Sequence, residues 1–181
     1  YLQNLDDISN RTDVIDRICR TPLMYAPHTE RAYSDVDYMI LGLIVEQVVG
    51  KRLDEYLQEG VYRRLGLERT GFRPLDIRTP PDLIAATELN GNTRDGNVGF
   101  GTRPDGSPVF IRTQTIRGQV QDEKAFYTMS GVSGHAGLFS TADDLGVLLQ
   151  LMSNEGMYQG RESFPADVQR RFLTPDGDSA T

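Results

Sequence analysis

The most regular pattern of hydrophobic and polar positions lies between residues 34 and 49. Five apolar residues there are spaced i, i+4, i+7, i+8 and i+12, which places them on one broad helical stripe. They are Val36, Ile40, Leu43, Ile44 and Val48. Other apolar residues widen the stripe, so we expect a helix that is buried on most of its sides. Ser34 or Asp35 can cap its start, and Gly50 can end it in the left-handed conformation.

Three further segments have weaker helical spacing. Residues 4–20 predict one or two short helices, 52–64 predict a second helix after the long one, and 142–153 predict a last helix. Two capping pairs can start that last helix, Ser140 with Asp143 or Thr141 with Asp144. Its predicted core-facing residues are Leu145, Leu148, Leu149 and Met152.

The remaining sequence predicts loops. Residues 21–32 carry two prolines and read as an extended loop. Residues 73–120 are rich in Gly, Pro, Asn, Asp and Thr, and they predict long loops with one short strand or hairpin near 109–113. A loop region of this length inside a globular chain is usually functional or flexible. The predicted fold class is therefore mainly α with long loops.

Composition excludes some classes of protein. The 181 residues are 38% hydrophobic and 25% charged, as in globular proteins, and the formal net charge is -7. This charge argues against a nucleic-acid surface, which would cluster Lys and Arg. No apolar run approaches the roughly 20 residues of a membrane helix, so no membrane segment is expected. The only lysines are Lys51 and Lys124, and the single cysteine, Cys19, allows no internal disulfide.

The tripeptide Tyr33-Ser34-Asp35 stands directly before the long helix and is a candidate for catalysis. A phenol has a pKa near 10, so it acts as a base only if its anion is stabilised. The helix N-terminus and a neighbouring ammonium can both do this. Asp35 could then hold a lysine or a substrate amide. The structural alternative is that Tyr33 packs at the helix entry and Asp35 is only a cap.

His135 lies in "GVSGHAGLFS", where flanking glycines permit close approach by another group. The structural alternative is a histidine bonded to a loop carbonyl. With only His28 and His135 in the chain, no metal site is expected. Position 135 also breaks the G-x-S-x-G pattern of a nucleophile elbow. "GNVGFG" is weak as a dinucleotide motif, and "DEKAF" at 122–126 is interpreted as a solvated turn.

Two long stretches together resemble the serine β-lactamase and penicillin-binding-protein superfamily. "YSDVDYMILGLIVEQVVGKRLDEYL" resembles its second active-site motif and the following helix. "DEKAFYTMSGVSGHAGLFSTADDLGVLLQLM" is similar to the "HDENA…GHAGLFSTADDLA" segment of the branch with class C β-lactamase-like esterases and low-molecular-mass penicillin-binding proteins. "IAATE" at 84–88 fits the loop between them. The nearest resemblance is to D-alanyl-D-alanine carboxypeptidases.

The resemblance implies acyl transfer. In that family a serine in S-x-x-K attacks the carbonyl, and its lysine shares proton transfers with the tyrosine of Y-x-N. Tyr33 matches this tyrosine, and Asp35 matches the Asn or Asp that contacts the lysine and the substrate. His135 is kept as a candidate substrate-binding residue. The tripeptide at 135–137 mimics the H-x-G form of the third motif, K-T-G or H-x-G, but this segment precedes a helix in that branch, whereas the third motif lies on a strand further on, so His135 is not assigned to it. Gln121 stands where the branch usually has His before Asp-Glu.

No S-x-x-K and no K-T-G occur in the sequence, so it provides no nucleophile of this type. We therefore interpret 1–181 as a single partial domain, the helical subdomain of a larger hydrolase with its central sheet largely missing. This chain alone should then be inactive. The resemblance implies a small-molecule or peptidoglycan-derived substrate, no cofactor, and a periplasmic or extracellular location. Lactam, peptide and ester substrates remain open, and the alternative function is a non-catalytic β-lactamase-like binding protein.

Overall fold

A computed structural model describes residues 11–77, 79–92 and 111–174. These residues belong to two compact units. The first takes its residues from Tyr1–Leu57 and Gly71–Phe139, and the second takes its residues from Gln58–Thr70 and Ser140–Thr181. Residues 4–10 of the first predicted helix lie outside the described ranges, as does most of the 73–120 loop region beyond residue 92.

In its described residues, the first unit contains four α-helices and two short strand pairs. The helices are α1 (Arg11–Arg20), α2 (Asp35–Val49), α3 (Leu53–Leu57) and α5 (Glu123–Tyr127). The strands are β1 (Gly71–Phe72), β2 (Ala86–Glu88), β3 (Ile116–Arg117) and β4 (Leu138–Phe139), with a 3₁₀ turn at Pro81–Leu83. Strand β1 pairs antiparallel with β4, and β2 pairs antiparallel with β3.

Helix α2 confirms the strongest sequence prediction. The Ser34 hydroxyl caps its start by accepting from the Val36 N–H at 3.2 Å, and Gly50 ends it with a φ of 66°. The predicted burial is wrong, however. The buried residues of α2 are Met39 and Gly42, whereas Ile44 and Val48 of the predicted stripe are 51% and 79% exposed.

Two contacts decide which side of α2 is buried, one between side chains and one between backbones. The N-terminal half contacts α1 and the loop before residue 130, because Val14, Met39 and Met129 form the core of this unit. The middle of the helix meets the loop at Gly134. A Cβ added at Gly42 would lie 3.0 Å from the Gly134 nitrogen, so side chains are excluded where these backbones meet. The spacing of hydrophobic residues along the sequence cannot predict such a close approach of two backbones.

The loop region is held by a buried arginine. Arg112 is 1% exposed, and its guanidinium donates to the carbonyls of Val120 and Gln121 and to the Asn92 side chain at 2.8 to 3.1 Å. It also lies 3.7 Å from the centre of the Phe126 ring, a cation–π distance. The strand or hairpin predicted near 109–113 is therefore wrong for residues 111–113, which take an irregular path around this arginine. The nearest strand is β3.

The second unit contains the remaining elements. They are a π-helical turn (Gln58–Tyr62), α4 (Arg63–Leu65), α6 (Ala142–Ser153), β5 (Met157–Tyr158), β6 (Arg161–Glu162) and α7 (Ala166–Leu173). Strands β5 and β6 form an antiparallel pair. The helix predicted over 52–64 is thus helical from residue 53 onward. Its middle part, Gln58–Tyr62, has π geometry where a regular α-helix was expected. The predicted helix 142–153 is confirmed, with Thr141 as its cap.

The predicted core face of α6 is corrected. Leu151 is the residue of this helix that is buried, while Leu145, Leu149 and Met152 are 47%, 63% and 45% exposed. The C-terminal end of the helix is tied to α7, because the Gln169 side chain donates to the carbonyls of Leu151 and Met152. Thr70 contributes at the other end, where its hydroxyl donates to the Asp144 carboxylate at 2.8 Å.

The observed fold is therefore mainly helical with irregular connections, as the sequence predicted. The prediction that a central sheet is largely missing stays a prediction. Among the helices that the structure describes, none combines the length and the apolar composition that crossing a membrane requires.

Candidate active site

The tyrosine and the acid that the sequence singled out contact each other at the start of α2. The Tyr33 hydroxyl donates to Oδ1 of Asp35 at 3.1 Å, and the Tyr33 side chain is 82% exposed. Asp35 occupies the first turn of the helix, where the dipole favours a negative side chain. The tyrosine ring also leans on Tyr38, with 6.3 Å between the ring centres. The phenol is thus oriented and open to solvent.

This contact favours the protonated phenol. The hydrogen bond to Asp35, followed by the negative charge of that carboxylate, raises the pKa of Tyr33 above its ordinary value of 10.0. The phenolate expected from the sequence needs positive charge to offset this effect. With the contacts that the structure describes, the protonated phenol is the favoured form of Tyr33.

One cation is close to Asp35. Lys124 projects from α5, and its Nζ lies 3.4 Å from Oδ2 of Asp35. The two side chains are 25% and 29% exposed, so the pair is partly withdrawn from solvent. Asp35 therefore accepts from the tyrosine with one carboxylate oxygen and contacts the lysine with the other.

The neighbouring loop presents a buried histidine. The His135 side chain is 2% exposed, with Nδ1 2.8 Å from the Ser133 hydroxyl and Nε2 3.0 Å from Oδ1 of Asp122. Both ring nitrogens are thus occupied by side chains rather than by the loop carbonyl that the structural alternative supposed. The substrate-binding role of His135 stays a prediction, and the observed contacts are those of a residue that orders the loop.

Asp122 joins this loop to α5. Its Oδ1 also accepts from the Ala125 N–H at 2.7 Å, the capping bond of the helix that carries Lys124. Burial alone would raise the pKa of Asp122, but the hydrogen bonds from His135 and Ala125 and the charge of Lys124 together lower it below its usual value. Asp122 is therefore a stable anion.

Gly134, between Ser133 and His135, sets the distance from this loop to α2. A Cβ added there would lie 2.0 Å from the Tyr38 carbonyl oxygen, which is far inside van der Waals contact. The contact requires a residue without a side chain. It brings His135 and Asp122 to the same end of α2 as Asp35.

Asp35, Asp122 and His135 offer three atoms of metal-ligand type within 4.8 Å of one another. Both oxygens of Asp35 and both ring nitrogens of His135 already have contacts within the protein. A cation would have to compete with the Lys124 ammonium for Asp35 and with the hydrogen bonds of His135. The expectation that the chain holds no metal stays a prediction.

Sequence reasoning found Tyr33, Asp35 and His135 but missed the groups that surround them. It interpreted "DEKAF" as a solvated turn, whereas this segment starts α5 and provides both Asp122 and Lys124. The available signal was an aspartate three residues before a small apolar residue, a spacing typical of an N-cap. Ser133 gave no signal before its partner was placed.

Solved structures share this arrangement of elements. The penicillin-binding protein of Bacillus halodurans superposes with a TM-score of 0.59 over 92% of this chain and 41% of its own, at 20% identity. An octameric penicillin-binding protein homologue from Pyrococcus abyssi gives a TM-score of 0.60 over 92% of this chain and 31% of its own, at 18% identity. At these identities the likeness establishes the fold, which is that of penicillin-binding proteins.

Sequence comparison gives the family. A protein of Escherichia coli strain K12 named "Putative D-alanyl-D-alanine carboxypeptidase" is 51% identical over 172 residues, covering 95% of this chain and 38% of that protein. A Salmonella gallinarum protein of the same name is 46% identical over an equal length. The family model described as Beta-lactamase matches residues 1–180. The chain belongs to the β-lactamase family of serine hydrolases, and it spans little more than a third of the length of these relatives.

Proposed function

We propose that this chain provides the tyrosine side of an acyl-transfer site in a D-alanyl-D-alanine carboxypeptidase. The observation that carries the proposal is the exposed Tyr33 hydroxyl, fixed by Asp35 at the start of a capped helix. An exposed tyrosine that only packed at the helix entry would not need a carboxylate partner. The name of the E. coli relative supports the choice of substrate class.

The residues would divide the chemistry as follows. Tyr33 would carry the proton between the nucleophile and the leaving group, as general acid and base in turn. Asp35 would orient Tyr33 and contact the substrate or a catalytic lysine. Asp122 and His135 would fix the loop that faces them. The attacking serine of S-x-x-K is absent from these 181 residues, and we propose that the rest of a longer protein provides it.

The proposed substrate is a peptidoglycan-derived peptide ending in D-Ala-D-Ala, attacked at its terminal amide. For such a substrate we propose a periplasmic or extracellular location. A β-lactam or an ester would meet the same groups at its carbonyl. The alternative function, binding without catalysis, is favoured by one observation only, the lack of an S-x-x-K in this chain.

The first prediction concerns the chain by itself. Purified 181-residue protein should not turn over a chromogenic lactam or ester above the buffer rate, because removing the nucleophile of a group that acts as a unit costs several orders of magnitude. Steady turnover that scales with protein concentration and survives repeated purification would contradict this prediction.

The test of the proposed function uses the full-length product of the natural reading frame. Fluorescent penicillin should label it covalently, and labelling should disappear when the serine of an S-x-x-K outside this chain is changed to Ala. Tyr33→Phe should slow acylation by about 10²-fold or more, the usual contribution of a proton-transfer group. Tyr38→Phe is the matched control, since Tyr38 is a neighbouring, half-exposed tyrosine of the same helix end. An absence of labelling would favour the binding function.

A further inference from the structure

Asp35 lies between two partners that oppose each other electrostatically. Its Oδ1 accepts the Tyr33 hydroxyl at 3.1 Å, and its Oδ2 is 3.4 Å from the Lys124 ammonium. A carboxylate with a single partner can rotate about its last bond. With partners on both oxygens it is held in one orientation, and the tyrosine hydroxyl is then directed by the lysine as well.

The turn that carries Lys124 is held by several hydrogen bonds. The Lys124 carbonyl accepts from the Thr128 hydroxyl at 2.7 Å and from its N–H at 3.0 Å, which secures the single turn of α5. Asp122 caps the start of the turn, and Arg112 binds the two carbonyls that precede Asp122. The backbone from which the Lys124 side chain extends toward Asp35 is therefore fixed.

We propose that Lys124 is a positioning residue for Tyr33 and acts through Asp35: its ammonium fixes the carboxylate and offsets the negative charge that the phenol faces. The proposal rests on the proposed function only in giving Tyr33 a proton to move. It adds a cation that belongs to neither lysine-bearing motif of the family resemblance, S-x-x-K or K-T-G. Lys124 and the lysine of S-x-x-K would bear on Asp35 and Tyr33 from different parts of the protein.

The charged groups around Tyr33 support this role. Tyr33 faces the carboxylates of Asp35 on α2 and Asp122 before α5, and the ring of Tyr38 on α2; all three groups raise the pKa of Tyr33. His135 from the loop bonds to Asp122, and Lys124 from α5 bonds to Asp35. Lys124 forms an ion pair with Asp35, a carboxylate that faces Tyr33. Removing it leaves two carboxylates to act on the phenol.

The first test follows the titration of Tyr33 directly. In full-length protein labelled with [¹³Cζ]tyrosine, the Tyr33 signal is assigned by its loss in Tyr33→Phe. Lys124→Gln should raise the pH of its titration midpoint by about half a unit, since the negative charge of Asp35 beside the phenol then loses the ammonium that pairs with it. Lys124→Arg should restore most of the shift, and about 1 M salt should shrink it.

Lys51→Gln is the matched control, because Lys51 is the other lysine of the chain and the change in net charge is the same. It should leave the Tyr33 midpoint unchanged. An unchanged or lowered midpoint in Lys124→Gln overturns the proposal, whatever the enzyme does, because this measurement needs no catalysis.

The second test is a double-mutant cycle on acylation by fluorescent penicillin. Lys124→Gln should slow acylation about tenfold in the protein with Tyr33, but less than about twofold in the Tyr33→Phe background, since its effect passes through the tyrosine. Equal losses in both backgrounds would show a merely structural role and overturn the proposal. If Tyr33→Phe itself acylates normally, the proposed function fails, and the titration alone still decides whether Lys124 positions Tyr33.

Discussion

Gly134 offers the sharpest test of how the candidate site is assembled, because the structure leaves no space for a side chain at this position. In Gly134→Ala the new Cβ would lie 2.0 Å from the Tyr38 carbonyl oxygen and 3.1 Å from the Gly42 nitrogen. Both neighbours are backbone atoms of a capped helix and cannot rotate away. The loop must therefore retreat from α2 by more than an ångström, which is a severe case of overpacking.

Overpacking of this kind costs about 1–3 kcal/mol, with the upper end expected where backbone must move. Retreat of the loop also strains the bonds of His135 to Ser133 and Asp122, each with a net contribution of about 1 kcal/mol. We expect Gly134→Ala to lower the free energy of unfolding by about 3–5 kcal/mol. In a chain of this size that corresponds to a fall in Tm of roughly 6–20 °C.

The assay is urea unfolding followed by far-ultraviolet circular dichroism, which suits a protein without tryptophan. Gly146→Ala is the matched control. Gly146 lies within α6, and a Cβ there would meet nothing within 4 Å. The control should gain about 1 kcal/mol from helix propensity. A loss below about 1 kcal/mol in Gly134→Ala would refute the close approach of the loop to α2.

Three other changes test the surroundings of the site by the same unfolding assay. Because the pKa of Asp122 is lowered in the folded protein, its contribution to stability is complete above the ordinary Asp pKa near 4 and is lost as the pH falls through the lower folded pKa. Asp122→Asn should therefore make the free energy of unfolding depend less on pH in this acidic range. Arg112→Lys should cost about 2–4 kcal/mol, because a single ammonium cannot reach all three acceptors of the guanidinium; a neutral result would contradict the buried fork. Glu46→Ala should cost about 1–3 kcal/mol by leaving the Leu53 N–H without its acceptor at 2.8 Å, whereas Glu46→Gln should retain most of the stability if that hydrogen bond dominates.

The ends of the helices were predictable from sequence because capping is local. Ser34, Gly50 and Thr141 act within a few residues of themselves, so the sequence predicted Gly50 outright and limited each of the two N-caps to a pair of candidates. Tyr33 and Asp35 are two residues apart, so their contact also follows from local sequence. Long-range partners have no such signature. Lys124 is separated from Asp35 by 89 positions, and nothing in "DEKAF" indicates which acid it meets.

The buried sides of the helices were predicted less well than their ends. Hydrophobic spacing favoured a stripe through Ile44 and Val48, but the structure buries Gly42 and Met39 instead. A glycine contributes little to any hydrophobic pattern, yet it permits the close backbone approach that selects the side. The same limitation applies to α6, whose C-terminal end is tied to α7 by a hydrogen bond from a glutamine to the Leu151 carbonyl.

Asp122 makes the folding of the site and the placing of its charges depend on each other. A single oxygen, Oδ1, accepts both the Ala125 N–H that starts α5 and the His135 ring that holds the loop. Without the bond to Ala125, the turn that carries Lys124 loses its N-cap. Without the bond to His135, the loop is no longer connected to that turn. The lysine is then held less firmly where it faces Asp35. The aspartate that sequence reasoning assigned to a solvated turn therefore supports the placement of Lys124 as well as that of the His135 loop.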